Sequence, residues 1–391
     1  MGTEFRRIFS NSIVMTIFFA APIGFGILFG LTYEKGKIGE LPIAVVDMDR
    51  TNTSDKFIDA FNDNEYLQVA AVLVDNMELK QEIIHNNFQA IITIPKGFEA
   101  DINQRRYPEI QIDLNVGNIL TANFASRGLQ SVLGTLNAGI EIETLKKQGL
   151  VPELAATRFE AFKTNYNRLF NTGSNYIDFM WPGLIAAIMQ QVFLLGLALV
   201  FARDFEDGYF SVLIQKSRFS FYHVALKAIP FYLLGAIIWA AVLLIHIYFN
   251  LTWNVMSYDM IVMVFLFSTA CILLGMLVSV IIPNQLKATE LLMVIATPSF
   301  VLSGFTWPGS GMPAALQVIG NALPITHFLK GFKKIAIYGG NLSDVKTETG
   351  ALIWMCVIFL TAILLVLQIK INRWRKRHIN VILSNEAVNP V

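Results

Sequence analysis

The sequence predicts a polytopic α-helical membrane protein. It would have six transmembrane helices, outer re-entrant helices and a mixed α/β extracytoplasmic domain inserted between helices 1 and 2. The 391 residues are 54% hydrophobic and only 15% charged, whereas soluble domains carry about 25% charged residues. Six long apolar segments are present, and the stretch between the first two has an ordinary soluble composition. The predicted parts are 1–33, 34–177, 178–371 and a cytosolic tail, 372–391.

The apolar segments have the length of membrane spans, because a bilayer core needs about 20 mostly apolar residues per helix. Six segments qualify: Ile13–Tyr33, Phe179–Phe201, Val224–Phe249, Tyr258–Ile282, Leu286–Phe305 and Ala351–Ile371. The first run is longer than the apolar part of a typical signal peptide, and no small-x-small cleavage site follows it. It is therefore interpreted as a retained signal-anchor helix.

Basic residues predict the orientation, because Lys and Arg in short loops favour the cytosolic side. They flank the first span, the loop between the second and third spans, and the last span: Arg6, Arg7, Arg203, Lys216, Arg218, Lys227, Arg373, Arg375, Lys376 and Arg377. The loop Asn250–Ser257 has none. Both termini are therefore predicted in the cytosol and 34–177 outside, in a bacterial cytoplasmic (inner) membrane. Lys330, Lys333 and Lys334 disagree, but they lie in a long outer segment, where the rule weakens.

Segment 34–177 alternates strand and helix signals. Short apolar runs and one stretch of alternation predict four strands, at 42–46, 67–74, 88–94 and 109–116. Helices are predicted after the possible caps Asn52–Ser54, at Met77–His85, and from Leu120 onward, where apolar residues recur at helical spacing. A small mixed α/β domain with long flanking helices follows from this order.

Motifs for catalysis and metal binding are missing from the sequence. No G-x-x-x-x-G-K-[ST] loop is present, so this chain is not itself a P-loop ATPase. H-E-x-x-H, C-x-x-C and G-x-S-x-G are also absent, and the five histidines are scattered without metal-ligand spacing. The net charge of +1 argues against a nucleic-acid partner. The chain is therefore predicted to be no enzyme and to carry no cofactor or metal of its own.

A charged segment follows the second span. Its residues are Arg203, Asp204, Phe205, Glu206, Asp207 and Gly208. Phe210, Leu213 and Ile214 then recur near helical spacing. This pattern predicts a turn at Gly208 and a short amphipathic helix at the cytosolic face, which would dock a cytosolic partner. The alternative is an ordinary charged loop that fixes topology.

Backbone breakers interrupt the hydrophobic stretch after the fifth span. They and their neighbours are Gly304, Phe305, Trp307, Pro308, Met312, Pro313, Pro324 and His327. The stretch is too short to cross a bilayer, and broken backbone at membrane depth needs protein or a water-filled cavity around it. A re-entrant helix pair on the outer side is predicted. A surface loop with an aromatic belt is the alternative.

Polar residues inside the spans are candidates for function. Gln190 and Gln191 could line a pathway or form hydrogen bonds between helices, whereas Pro298 is expected to kink the fifth span. Before the first span, Glu4–Phe9 mixes basic and apolar residues as an interfacial helix does. A simple positively charged flank is the alternative there.

These features, in this order, resemble the ABC-2 type transporter permeases, the membrane subunits of type V ABC exporters, in their long form with an extracytoplasmic domain. The resemblance covers nearly the whole chain. Leu41-Pro-Ile-Ala-Val-Val-Asp47 resembles the opening of that branch's outer domain. A later strand ending, Ile91-Ile-Thr-Ile-Pro95 followed by Gly97-Phe98-Glu99, resembles it as well. Trp181-Pro-Gly-Leu184 is similar to the family's entry into the second span.

Two further motifs carry the resemblance. Arg203–Gly208 resembles the coupling-helix run of the family, with Asp204 in place of the usual Glu and Tyr209 in place of Thr. Ser303–Pro308 with Met312-Pro313 resembles the re-entrant segment, with Trp307 where Phe is usual, and Pro324–His327 resembles its Pro-Leu-Thr-Tyr ending.

The resemblance implies a mechanism and partners. Two permease chains, identical or different, would pair around a central pathway within the membrane lipid. Two cytosolic ABC ATPase subunits, carrying ATP and Mg, would dock below them and push near Arg203–Gly208. The outer domain would shape an exit tunnel or meet a periplasmic adaptor. Family substrates include drugs, lipids and polysaccharides, and the expected cargo here is an amphiphilic or lipid-like molecule leaving the cytoplasm.

Two other classes of protein compete with this interpretation. One is a membrane-anchored envelope sensor or receptor that uses 34–177 for ligand or partner binding. The other is a structural or phage-receptor-like envelope protein. Five further spans and a re-entrant segment exceed what signalling needs, and no cytosolic output domain is expected. An adjacent reading frame with a P-loop and an ABC signature would favour the transporter.

Overall fold

The chain divides into two compact units in the computed structural model. One unit contains 1–34 and 170–391, and the other contains 35–169. The residues described are 6, 9–10, 12–74, 88–159, 169–251 and 253–388, with the side chains of 13 and 377–388 left out. The predicted helix Met77–His85 and most of the predicted interfacial helix Glu4–Phe9 lie outside them.

The described helices and strands are numbered along the chain. The helices are α1 (Thr16–Tyr33), α2 (Asn52–Asn62), α3 (Phe98–Asn103), α4 (Ile119–Lys147), α5 (Pro152–Arg158), α6 (Tyr176–Glu206), α7 (Phe210–Lys216), α8 (Ser220–Tyr248), α9 (Tyr258–Ile281), α10 (Gln285–Leu302), α11 (Ala314–Asn321), α12 (Pro324–Phe332) and α13 (Lys346–Val388). The strands are β1 (Leu41–Asp47), β2 (Leu67–Leu73), β3 (Ala90–Ile94) and β4 (Gln111–Leu114).

Six helices in the described residues are long and apolar enough to cross a membrane: α1, α6, α8, α9, α10 and the segment Leu342–Lys376 that contains the first part of α13. Each overlaps a predicted span. The last helix, α13, extends beyond the predicted span Ala351–Ile371 at both ends, from Lys346 to Val388. The second span, α6, was predicted to end at Phe201 but continues to Glu206. Its added turn is stabilised by Asp204, whose carboxylate is buried instead of solvated.

The membrane unit is tightly packed where α1, α6 and α8 meet. The Phe18 ring lies 5.9 Å from the Phe193 ring and 5.4 Å from the Phe231 ring. A Cβ on Gly196 would come within 2.3 Å of the Phe18 ring, so only glycine allows this approach. Phe18 lies on a π-helical turn, Thr16–Ala20, at the start of α1.

The unit 35–169 contains a four-stranded sheet in the order β2-β1-β3-β4. β1 pairs in parallel with β2 and β3, and β4 pairs antiparallel with β3. All of β3 and nearly all of β1 are buried, as the apolar runs predict. The predicted half-burial of the last strand holds only in part, because Ile112 on edge strand β4 is 38% exposed.

Two aspartates, Asp47 at the end of β1 and Asp49 just after it, organise the loops at that end of the sheet. Thr51 caps α2 in a capping box with Ser54, so the cap lies one residue before the predicted Asn52–Ser54. Asp47 accepts hydrogen bonds from the Ser54 hydroxyl (2.8 Å) and from the backbone N–H of Asp49 and Arg50. These bonds fix the position of the Asp49 carboxylate.

Asp49 caps the N-terminus of α3. Its carboxylate accepts from the backbone N–H groups of Gly97 (2.8 Å), Phe98 (3.0 Å) and Glu99 (2.9 Å). Burial acts to raise the pKa of Asp49, but these N–H groups and the Thr51 hydroxyl hold it below its usual value. The two sequence motifs that resemble the family's outer domain are therefore joined by one carboxylate.

Candidate coupling and exit sites

The corner after the second span consists of a helix end, a three-residue turn at 207–209 and a short helix. Gly208, at φ +69°, makes the turn after α6, and α7 follows. Phe210, Leu213 and Ile214 are buried against the bundle, as their spacing predicts. Phe205 packs on Phe210 with ring centroids 4.6 Å apart. The predicted short amphipathic helix is therefore present.

Asp204 forms a buried ion pair within the chain. Its carboxylate lies 2.5 Å from the Lys227 ammonium on α8, and both side chains are at most 3% exposed. Lys227 also lies 3.5 Å from the Val200 carbonyl oxygen and over the Phe201 ring. Asp204 therefore connects α6 to α8 and does not face a partner surface.

The other charged residues of the corner lie nearer the surface. Glu206 accepts hydrogen bonds from the side chains of Asn284 and Gln285 and from the Gln285 N–H (3.0 Å). A carboxylate there is favoured by the positive end of the α10 dipole. Arg203 pairs with Asp207 at 3.3 Å, and Asp207 and Gly208 are exposed. Glu206 is exposed as well, but its carboxylate is bonded to Asn284 and Gln285, so Asp207 is the acidic side chain of this corner that a partner could contact without disturbing α10.

The segment after α10 folds as the predicted pair of helices. Gly304 reverses the chain at φ +79°, and Phe305 is buried between Phe179 (5.5 Å) and Phe300 (5.9 Å). The Lys333 ammonium lies 4.4 Å from the centre of the Phe305 ring. Trp307 and Pro308 are exposed, Met312 is half-buried, and Pro313 caps α11.

α11 and α12 are held together by short polar contacts. Thr326 donates its hydroxyl hydrogen to the Gly320 carbonyl oxygen at 2.6 Å, and His327 Nε2 lies 2.8 Å from the Asn321 carbonyl oxygen. Burial lowers the pKa of His327, and the bond to Asn321 offsets part of that effect by raising it. Pro324 occupies the first turn of α12, which is buried on the bundle through Ile325, Phe328 and Leu329.

Gln190 connects three helices. Its amide donates to the Ser299 hydroxyl on α10 at 2.7 Å and accepts from the Ile325 N–H on α12 at 3.3 Å. The side chain is buried, whereas the neighbouring Gln191 is half-buried. Of the two alternatives for the glutamines, the geometry of Gln190 favours bonding between helices.

The ABC-2 family transporter protein profile matches residues 6–365. The chain belongs to this family.

Curated ABC-2 relatives cover most of the chain at low identity. An Escherichia coli protein named "Inner membrane transport permease YhhJ" is 23% identical over 80% of this chain and 81% of its own length. The Escherichia coli "Probable multidrug ABC transporter permease YbhS" is 24% identical over 84% of this chain and 83% of its own length. The Bacillus subtilis "Linearmycin resistance permease protein LnrN" is 23% identical over 92% of this chain and 96% of its own length. No solved structure matches significantly.

Several polar contacts of this ABC-2 chain were not foreseen from its sequence. Ser279 on α9 accepts from the Phe201 and Ala202 N–H groups at 2.9 Å and donates to the Ala198 carbonyl oxygen. Lys227 contributes to the predicted orientation in the membrane, but a lysine within an apolar run also indicates a buried partner. Ser279 gave no comparable signal, because serine is common in membrane helices.

Proposed function

We propose that this chain is the membrane-spanning subunit of an ATP-driven exporter whose ATPase is a separate subunit. The family match over residues 6–365 carries this proposal. The sequence has no P-loop of its own, so ATP and Mg would be bound by the partner. Two permease chains would assemble with the ATPase subunits in the bacterial inner membrane.

The proposed cargo is an amphiphilic or lipid-like molecule moved out of the cytoplasm. The names of two relatives, one a multidrug permease and one a linearmycin resistance permease, support an export role of this kind. The segment from Gly304 to His327 would form the outer gate of the pathway. The 34–177 domain would shape the exit or meet a periplasmic adaptor. Both termini would lie in the cytosol.

The proposed ATPase contact is the corner Arg203–Gly208 with α7. Its exposed Asp207 offers a charge to the partner, while the buried Asp204–Lys227 pair would pass a displacement of α6 to α8. Glu206 is a less clean probe, because removing it also uncaps α10. Asp207→Ala is therefore the variant that should weaken ATPase docking without disturbing the fold.

Co-purification with the ATPase, followed by an ATPase assay in lipid, tests the proposal. The intact chain is expected to retain the ATPase and to support hydrolysis and export. Asp207→Ala should insert normally yet bind the ATPase more weakly, since losing one partner of an interface charge pair costs about 2–5 kcal/mol when it is buried and less at a rim. The matched control is Asp63→Ala, which removes an exposed aspartate in the unit 35–169. If both variants lose ATPase binding equally, or if neither loses it, docking at this corner is refuted.

A further inference from the structure

A cavity of about 270 Å³ lies inside the membrane unit, between α6, α8, α9 and α12. It is separate from the coupling corner and from the Gly304–Pro313 segment. Its walls are mostly aromatic and aliphatic, and include Trp181, Trp239, Trp253, Met260, Phe328 and Phe332. The cavity is therefore lined by apolar surface contributed by four helices and by the loop between α8 and α9.

The polar groups in the lining are bonded or packed among themselves. Trp239 donates its indole N–H to the Ser268 hydroxyl at 3.0 Å. His246 is buried with its ring 5.4 Å from the Trp253 ring, which packs edge-on against Phe332 at 5.9 Å. Water needs two to four polar partners to occupy such a space, and apolar cavities of this kind stay dry. The occupant that fits is a hydrocarbon group.

The cavity opens sideways between α8 and α9. Ala240 and Ile261 belong to its lining and are exposed on the outside of the bundle, Ile261 by 59%. Both helices are long and apolar enough to span a membrane, so the exposed surface around this mouth is of the kind that contacts lipid. From Tyr248, the end of α8, to Ala240 is roughly 12 Å along the helix axis. That depth is close to half of a bilayer core of about 30 Å, the thickness of one leaflet.

We propose that this cavity binds one acyl chain of a bilayer phospholipid, which enters from the membrane between α8 and α9. The volume of about 270 Å³ is at the lower limit of sites that enclose drug-sized molecules, about 300–1,000 Å³, so the cavity suits a single chain whose headgroup stays outside. Lipid tails are as apolar as the walls. Binding therefore depends on van der Waals contacts with lining atoms that would otherwise face a void. The inference requires only membrane insertion and does not depend on transport.

Quenching of tryptophan fluorescence by a brominated lipid tests the site. The probe is phosphatidylcholine brominated at the middle of one acyl chain, in vesicles containing the full-length chain. The parent variant carries Trp307→Phe, Trp354→Phe and Trp374→Phe, leaving three tryptophans in the cavity wall. Two variants then narrow the cavity, Ala240→Phe at the mouth and Ala186→Leu in the interior. Ala236→Phe is the matched control, one turn away on the exposed side of α8.

The brominated lipid is expected to quench the parent strongly, because Trp181 is only 2% exposed and is reached through the cavity. Ala240→Phe and Ala186→Leu should lose most of that quenching, and Ala236→Phe should keep it. Equal quenching in all the variants would mean that only surrounding lipid is detected. Absence of quenching in the parent would mean that another group, such as a second copy of the chain, covers the mouth. Either result overturns the proposal. If Ala240→Phe fails to insert into the membrane, the comparison of quenching between Ala186→Leu and Ala236→Phe tests the proposal by itself.

Discussion

At the scale of single residues, the Asp204–Lys227 pair is a buried ion pair that connects α6 to α8. A buried pair contributes little net stability, but removing one partner leaves an uncompensated charge and costs about 3–5 kcal/mol. Asp204→Leu and Lys227→Met should therefore each lower the thermal midpoint sharply. The double variant should recover most of the loss, since an apolar pair of similar volume is often neutral.

Thermal unfolding of the purified chain in lipid checks this prediction. Asp207→Ala is the control, because its partner Arg203 lies near the surface at 3.3 Å. Exposed helix pairs of this spacing are worth about 0.3–0.5 kcal/mol. Additive losses in the double variant would contradict a direct interaction between the two buried charges.

The Asp49 cap makes a second prediction at the residue scale. Asp49→Asn loses charge-assisted hydrogen bonds to the N-terminus of α3, worth about 1.5–3 kcal/mol for bonds to a charged group. The pKa of Asp49 is lowered in the folded domain. Its contribution is therefore fully present above the ordinary value near 3.8 and is lost as the pH falls through the folded value.

Denaturation of the outer domain at neutral and acidic pH measures this effect. The difference in unfolding free energy between wild type and Asp49→Asn should be large at pH 7 and should shrink below pH 4. Asp55→Asn, on the exposed side of α2, is the control and should change little. A difference that stays constant down to the lowest pH would contradict the assigned role of the carboxylate.

At the scale of elements, the 34–177 domain is expected to fold on its own. Its core contains Ile43, Val45, Phe61 and Ile92, which are essentially inaccessible to solvent, with α4 packed over the sheet. Expressed alone, 34–177 should give the circular dichroism of a mixed α/β domain and a cooperative melt. A random-coil spectrum under native conditions would contradict this. The variant Phe61→Ala is a matched test, since it should abolish the melt if the core is formed.

Elements were predictable where the signal is local. The spans follow from apolar length, and the strands around Ile43 and Ile92 from short apolar runs. The partners of polar side chains could not be predicted, because they depend on packing between distant segments. Gln190, for example, forms a hydrogen bond with Ser299, and Asp49 forms one with Gly97. For the same reason the sequence located the charged corner but could not separate buried Asp204 from exposed Asp207.

At the scale of the whole molecule, the orientation in the membrane remains a prediction from the basic residues. Cysteines placed at Asp63 and Lys376, both exposed, report the two sides. With Cys271 and Cys356 replaced by Ala, an impermeant thiol reagent added to intact cells with a permeable outer layer should label position 63 and not position 376. The reverse pattern would refute an external 34–177 domain and cytosolic termini.

The central claim is that this ABC-2 chain works with a separate ATPase that docks at the α6–α7 corner. Cross-linking tests it most directly. In the same cysteine-free background, Asp207→Cys is compared with Asn254→Cys, which lies exposed between α8 and α9 at the opposite end of α8 from the corner. With a short bifunctional reagent in membranes that contain the ATPase, position 207 is predicted to cross-link to it and position 254 is not. A cross-link from 254, or none from 207 while the ATPase co-purifies, would contradict the account.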